Sequence, residues 1–126
     1  MNWLLFVSGL FAAFATVGHF TIGSKSFLKP MLQASFDEVA KKVMHCVFHY
    51  ISANFILSTI VLLGLGIGIN FKVDTALLVR FISIHYAVYT VTQITIALTS
   101  QLRNGIFKLF QWMFFIIIAV FAWLGV

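Results

Sequence analysis

Charge is what this sequence has least of. Only 9% of its 126 residues are charged, eight Lys and Arg against three Asp and Glu, whereas a soluble domain carries about 25%. A chain this short has one core at most and a large surface to keep wet. So few charges cannot cover that surface, which excludes a soluble enzyme and a disordered tail. Cysteine is nearly absent too. Cys46 stands alone, so no intramolecular disulfide can form and a secreted disulfide scaffold is excluded. Acids are missing from every long apolar run, because Asp37, Glu38 and Asp74 all lie between them. A carboxylate-bridged di-iron centre therefore has no ligands. There is no low-complexity segment and no internal repeat. What remains is 62% hydrophobic and 17% aromatic, the composition of a small integral membrane protein. The net charge of +5 does not imply nucleic acid, since the basic residues punctuate apolar runs instead of gathering on a polar face.

Four apolar stretches, approximately 3–22, 43–68, 76–100 and 106–126, are long enough to cross a hydrocarbon core of about 30 Å. Lipid offers no partner to unpaired backbone groups, so each is expected to be a helix. The expected fold class is all-α, a four-transmembrane-helix antiparallel bundle forming one domain over residues 1–126. The first run contains Ala13 and Ala15 in the A-x-A spacing of a signal-peptidase site, but no positive charge precedes it, and it reads as a retained helix.

The connections differ in length. Asn70 to Asp74 is a tight hairpin with Asp74 placed to cap the third helix, and Gln101 to Gly105 is a short turn. Gly23 to Lys42 is a long connection holding Pro30. Its latter part reads as the amphipathic start of the second helix, with Asp37 four residues before Lys41 and Glu38 four before Lys42, the favourable order for ion pairs. Lys25, Lys29, Lys41, Lys42, Arg103 and Lys108 fall on one side of the bundle, and only Lys72 and Arg80 on the other. The positive-inside rule then puts the first connection in the cytoplasm and both termini on the non-cytoplasmic side of a bacterial inner membrane. Arg80 reads as an interface anchor that snorkels outward.

Polar groups inside membrane spans are costly and need a reason. All four histidines, His19, His45, His49 and His85, fall in or beside the apolar runs. His45 and His49 share one helix face at i, i+4 spacing, which lets two imidazoles converge on one ion. No glutamate lies between them, so a zinc protease is not supported. Antiparallel packing of the first two helices is expected to bring His19 level with this pair. His85 lies on the order of 10–15 Å deeper at 1.5 Å per residue, and is the less secure fourth ligand. Two polar stripes accompany them, His85-Tyr89-Gln93 and His45-His49-Ser52. Cys46 points about 100° away from His45 and reads as a small buried hydrophobe.

An all-imidazole site suits copper, zinc or haem iron. Met31, Met44 and Met113 form no ladder, so a copper permeation path is not indicated. The expectation is a membrane metal-binding protein with a copper-type site, mononuclear or dinuclear, of His19, His45, His49 and His85. Zinc is the second choice. Such a site is compatible with a copper-dependent oxidoreductase acting on a lipid-soluble molecule. The alternatives are a haem b electron-transfer protein using His19 with His49, and a metal-free accessory protein whose histidines knit helices or relay protons. The expected partners are membrane lipids, the metal ion and a second copy of the chain in a homodimer, with no nucleic acid.

One resemblance accompanies this reading. Gly18-His19-Phe20-Thr21-Ile22-Gly23, then Pro30-Met31-Leu32, then His45 to His49 opening the second helix, resembles a group of small uncharacterised bacterial four-helix membrane proteins. That group has a GHxxxG ending to helix one and a histidine early in helix two, often after a tryptophan, where this chain has Phe48. The resemblance covers about a third of the chain. It implies the four-helix fold and pairs His19 with His49, and it implies no activity.

Overall fold

Three short polar side chains start the three long helices by accepting amides that a first helical turn leaves unpaired. Asn2 Oδ1 accepts from the Leu5 amide at 3.2 Å, Asp37 from Ala40 at 2.8 Å and Asp74 from Leu77 at 2.9 Å. The computed structural model describes residues 1–126 and contains helices and turns without strands. We number the helices α1 (Trp3–Gln33), α2 (Glu38–Ile67), α3 (Thr75–Thr99), α4 (Gly105–Lys108) and α5 (Trp112–Leu124). The first three long helices, α1 to α3, are long and apolar enough to cross a membrane. The fourth apolar element, α5, has 13 residues and spans only about 20 Å at 1.5 Å per residue.

α1 is the hub, packing on both α2 and α5, while α5 also packs on α3. Each of these neighbours runs antiparallel to the next. The Asn2 amide donates to the Gly66 carbonyl at 2.8 Å, joining the start of α1 to the end of α2. Asn2 Nδ2 also donates to the Gly125 carbonyl at 2.8 Å, so both chain ends lie at one end of the bundle. Further along, the Ser8 hydroxyl donates to Ile118 O at 2.9 Å and the Ser83 hydroxyl to Ala119 O at 2.7 Å. Small polar side chains thus bind the backbone of the neighbouring helix, as in membrane helix pairs. Glycine makes the α1–α2 approach close: a Cβ on Gly66 would stand 2.6 Å from Phe6 Cα, and one on Gly9 2.7 Å from the Leu63 amide nitrogen.

The buried core occupies the half nearest the termini, around Leu5, Ala12, Leu62, Val79 and Ile118. Aromatic rings close it off at mid-bundle, with Tyr86 wholly buried and stacked on Phe55, their centroids 6.0 Å apart. The outward faces carry large exposed apolar side chains, among them Phe14, Leu57, Ile60, Phe81, Ile84 and Val91.

Two expectations about the first connection need correction. Gly23 to Gln33 is not a loop, because α1 continues through it, and the link to α2 is only residues 34–37. The continuation is possible because His19–Leu28 is wound as a π-helix, with i→i−5 pairing such as the Lys29 amide on Ser24 O. Pro30, which has no N–H to give, stands just past that wider stretch. The ion pairing also differs. Asp37 is committed to its cap, and Glu38 pairs instead with Lys41, Oε1 to Nζ 2.7 Å. Arg80 is exposed and lies over the Trp123 ring, 5.6 Å from its centroid, a cation–π contact.

Candidate functional site

α2 and α3 are joined by a short connection yet pack on each other far less than α1 does on α2. Below the Phe55–Tyr86 stack, the half of the bundle away from the termini is hollow. A cavity of about 760 Å³ opens there, walled by the π-helical part of α1, the first half of α2, the second half of α3 and the residues leading into α5. Most of its walls are apolar and aromatic, and its chief polar side chains are His19, Tyr89, Gln93 and Gln111. Volume, apolar lining and a few convergent polar groups are the attributes of a small-molecule site. Gln93 and Gln111 close one side, with the Gln93 amide donating to Gln111 Oε1 at 2.6 Å.

His19 projects from the first π-helical turn toward α2. Its ring stacks on Phe48, centroids 4.0 Å apart and planes 19° apart, and meets the edge of Phe55 at 5.2 Å. Its Nε2 lies 2.9 Å from Ser52 Oγ and 3.2 Å from Phe48 O. Gly23 is buried, and a Cβ there would lie 3.6 Å from the Phe48 ring and 3.7 Å from His19 Nδ1. One turn earlier in α2, His45 and His49 come together as their spacing implies, Nε2 to Nε2 3.2 Å, with His45 half-buried and His49 exposed.

The structure does not gather the four histidines. His19 anchors to Ser52, about 4.5 Å along α2 from His49, and both its contacts and those of His49 use Nε2. His85 stands apart on α3, with Nδ1 3.1 Å from Phe81 O and its ring against Phe81 at 4.3 Å. No group of three or more His, Cys, Asp or Glu side chains is assembled anywhere. Cys46 is exposed, where a buried position was expected; the i+1 step from His45 turns it outward from α2. Of the two polar stripes, Ser52 acts as the partner of His19, and Tyr89 and Gln93 line the cavity. Gln111 was not singled out by the sequence. Its signal was an amide at the head of an apolar run, facing Gln93 across two antiparallel helices.

The chain matches no known protein family, no curated protein and no solved structure.

Proposed function

We propose that the protein is a four-helix antiparallel integral membrane protein that binds a lipid-soluble molecule in the cavity beside His19. The cavity carries this reading. An apolar void of this size, walled by aromatic side chains and edged by a histidine and two glutamines, suits a flat molecule drawn from the bilayer. The membrane setting is supported by three long apolar helices and by exposed apolar side chains on their outer faces. The basic residues favour a bacterial inner membrane with the cavity toward the cytoplasm and both termini on the far side. The test is purification into lipid nanodiscs, followed by organic extraction and mass spectrometry. A lipophilic compound should be retained near one per chain and be lost in Gly18→Leu. Gly18 borders the cavity and a Cβ there meets nothing within 4 Å, so the added side chain is expected to enter the void, with an unchanged detergent unfolding curve as the check that the fold is kept. Failure to retain or saturably bind any such molecule would refute the reading.

A second reading keeps the metal. Two imidazoles on one tetrahedral ion, with bonds of about 2.0–2.1 Å, hold their nitrogens roughly 3.3 Å apart. The His45–His49 separation of 3.2 Å matches that bite. Copper is the first choice and zinc the second, with further ligands supplied by water or by a second copy of the chain. Stoichiometric copper or zinc that disappears in His49→Ala, measured by mass spectrometry, is the expected result. No metal after reconstitution with both would remove this reading and leave the cavity untouched.

A further inference from the structure

The hydrogen bonds around His19 decide which of its nitrogens carries the proton. Ser52 Oγ donates its only proton to Phe48 O at 2.9 Å, so toward His19 that hydroxyl is an acceptor. Phe48 O, a carbonyl, accepts only. Nε2–H serves both nearby atoms, at 2.9 and 3.2 Å, whereas the Nδ1–H form would require the Ser52 proton to turn from Phe48 O to Nε2. The opposite tautomer would set a lone pair against a carbonyl oxygen on the same spot. With Nε2 protonated, neutral His19 holds an unshared lone pair on Nδ1.

Nδ1 has no partner within the chain, and it lies on the side of the ring next to Gly23. A Cβ on Gly23 would stand 3.7 Å from Nδ1, in van der Waals contact with it, so glycine leaves that flank of the ring without a side chain against it. His19 and Gly23 both line the cavity. We infer that His19 presents Nδ1 to the cavity as a fixed hydrogen-bond acceptor, and that the occupant is an aromatic, lipid-soluble molecule bearing a hydroxyl. This rests on the cavity reading above and adds the chemistry of the ligand's head. A phenol, naphthol or quinol can donate to Nδ1 while its ring packs among the aromatic walls. A quinone or an ether offers only lone pairs at that point and meets another lone pair. The site therefore favours the reduced, hydroxylated form of such a molecule over its oxidised form.

The test compares naphthol with its methyl ether, alike in ring and nearly so in volume, by equilibrium dialysis against the protein in nanodiscs with empty nanodiscs as the blank. Wild type should bind naphthol about 5- to 10-fold more tightly, the effect of one hydrogen bond. In His19→Leu the preference of naphthol over its ether should vanish. Ser52→Ala, which releases the ring from its tautomer, should reduce the preference without abolishing it. Nitrogen NMR of histidine-labelled protein should show the His19 proton on Nε2 in the empty state and a shift at Nδ1 when naphthol binds. Equal affinity for the two compounds in wild type, or a proton found on Nδ1, would overturn the inference and leave the cavity reading standing. If neither compound binds, the inference falls, and the cavity reading is decided by the retention of lipophilic compounds described above.

Discussion

Replacing Gly66 by Ala adds one methyl group where α2 touches the backbone of α1. The added Cβ would lie 2.6 Å from both Cα and N of Phe6. Carbon atoms pack at about 3.5–4.0 Å, so the helices must part by roughly 1 Å. Backbone cannot swing aside as a side-chain tip can. Forcing a methyl group into a closed contact costs about 1–3 kcal/mol. Parting the helices there also strains the bond from the Asn2 amide to Gly66 O, 2.8 Å long, worth about 1 kcal/mol more. The expected loss is about 2–4 kcal/mol. Gly18→Ala is the control, with the same chemistry in the same bundle at a site where the new Cβ meets nothing within 4 Å. It should be neutral or stabilise the helix by up to about 1 kcal/mol. Unfolding both variants and wild type with sodium dodecyl sulfate in mixed micelles, followed by the fluorescence of Trp3, Trp112 and Trp123, gives the comparison directly. A Gly66→Ala variant as stable as wild type, or less harmed than Gly18→Ala, would refute the α1–α2 packing described above.

Ser83→Ala removes the hydroxyl that binds Ala119 O at 2.7 Å in a fully apolar setting. It should cost about 0.5–1.5 kcal/mol in the same unfolding assay, and Ser83→Cys, which keeps a weak donor, should cost less. At the start of α2, the hydrogen bond from Lys41 holds the Glu38 carboxyl below its usual range. A lowered folded pKa contributes stability that is complete above the unfolded value, near about 4.3, and is lost as pH falls through the folded one. Amide protection over Val39 to Val43 should therefore fall with acid below that region in wild type and not in Glu38→Gln. Identical acid behaviour in both proteins would show that the ion pair contributes nothing to the first turn of α2.

What the sequence made legible is what depends on solvent. Water cannot accept this many apolar side chains, and lipid cannot accept an open backbone, so long apolar helices followed from composition alone. Caps were equally local: Asp74 holds the Leu77 amide as its position implies. The extension of α1 to Gln33 was not legible, since π-winding leaves no periodic signature and Pro30 argues for a break. The start of α5 at Trp112 was displaced as well, because Ile106 to Lys108 belong to the separate short helix α4 and residues 109–111 turn before α5 begins. At the site, the i, i+4 meeting of His45 and His49 is a property of one helix and was readable. The register between α1 and α2 is not. Gly9 and Gly66 fix it by letting the backbones touch, and that register sends His19 to Ser52 instead of to His49.

That placement bears on why a histidine stands in α1 at all. If its task were to knit two helices, Nε2 alone would accomplish it, as the hydroxyls of Ser8 and Ser83 do elsewhere in the bundle. A knitting residue needs no open space behind it. Here the space is kept open by Gly18 and Ala15 along α1 and by Gly23 beside the ring, where larger apolar side chains would have closed the bundle as they do around Leu62 and Ile118. Surfaces facing a void forfeit the dispersion contacts that packed surfaces gain. A bundle that is tightly packed in one half and hollow in the other forgoes that cohesion only in the half containing the half-buried His19. Stability alone gives no reason for that asymmetry, and the proposed occupant would restore the missing contacts.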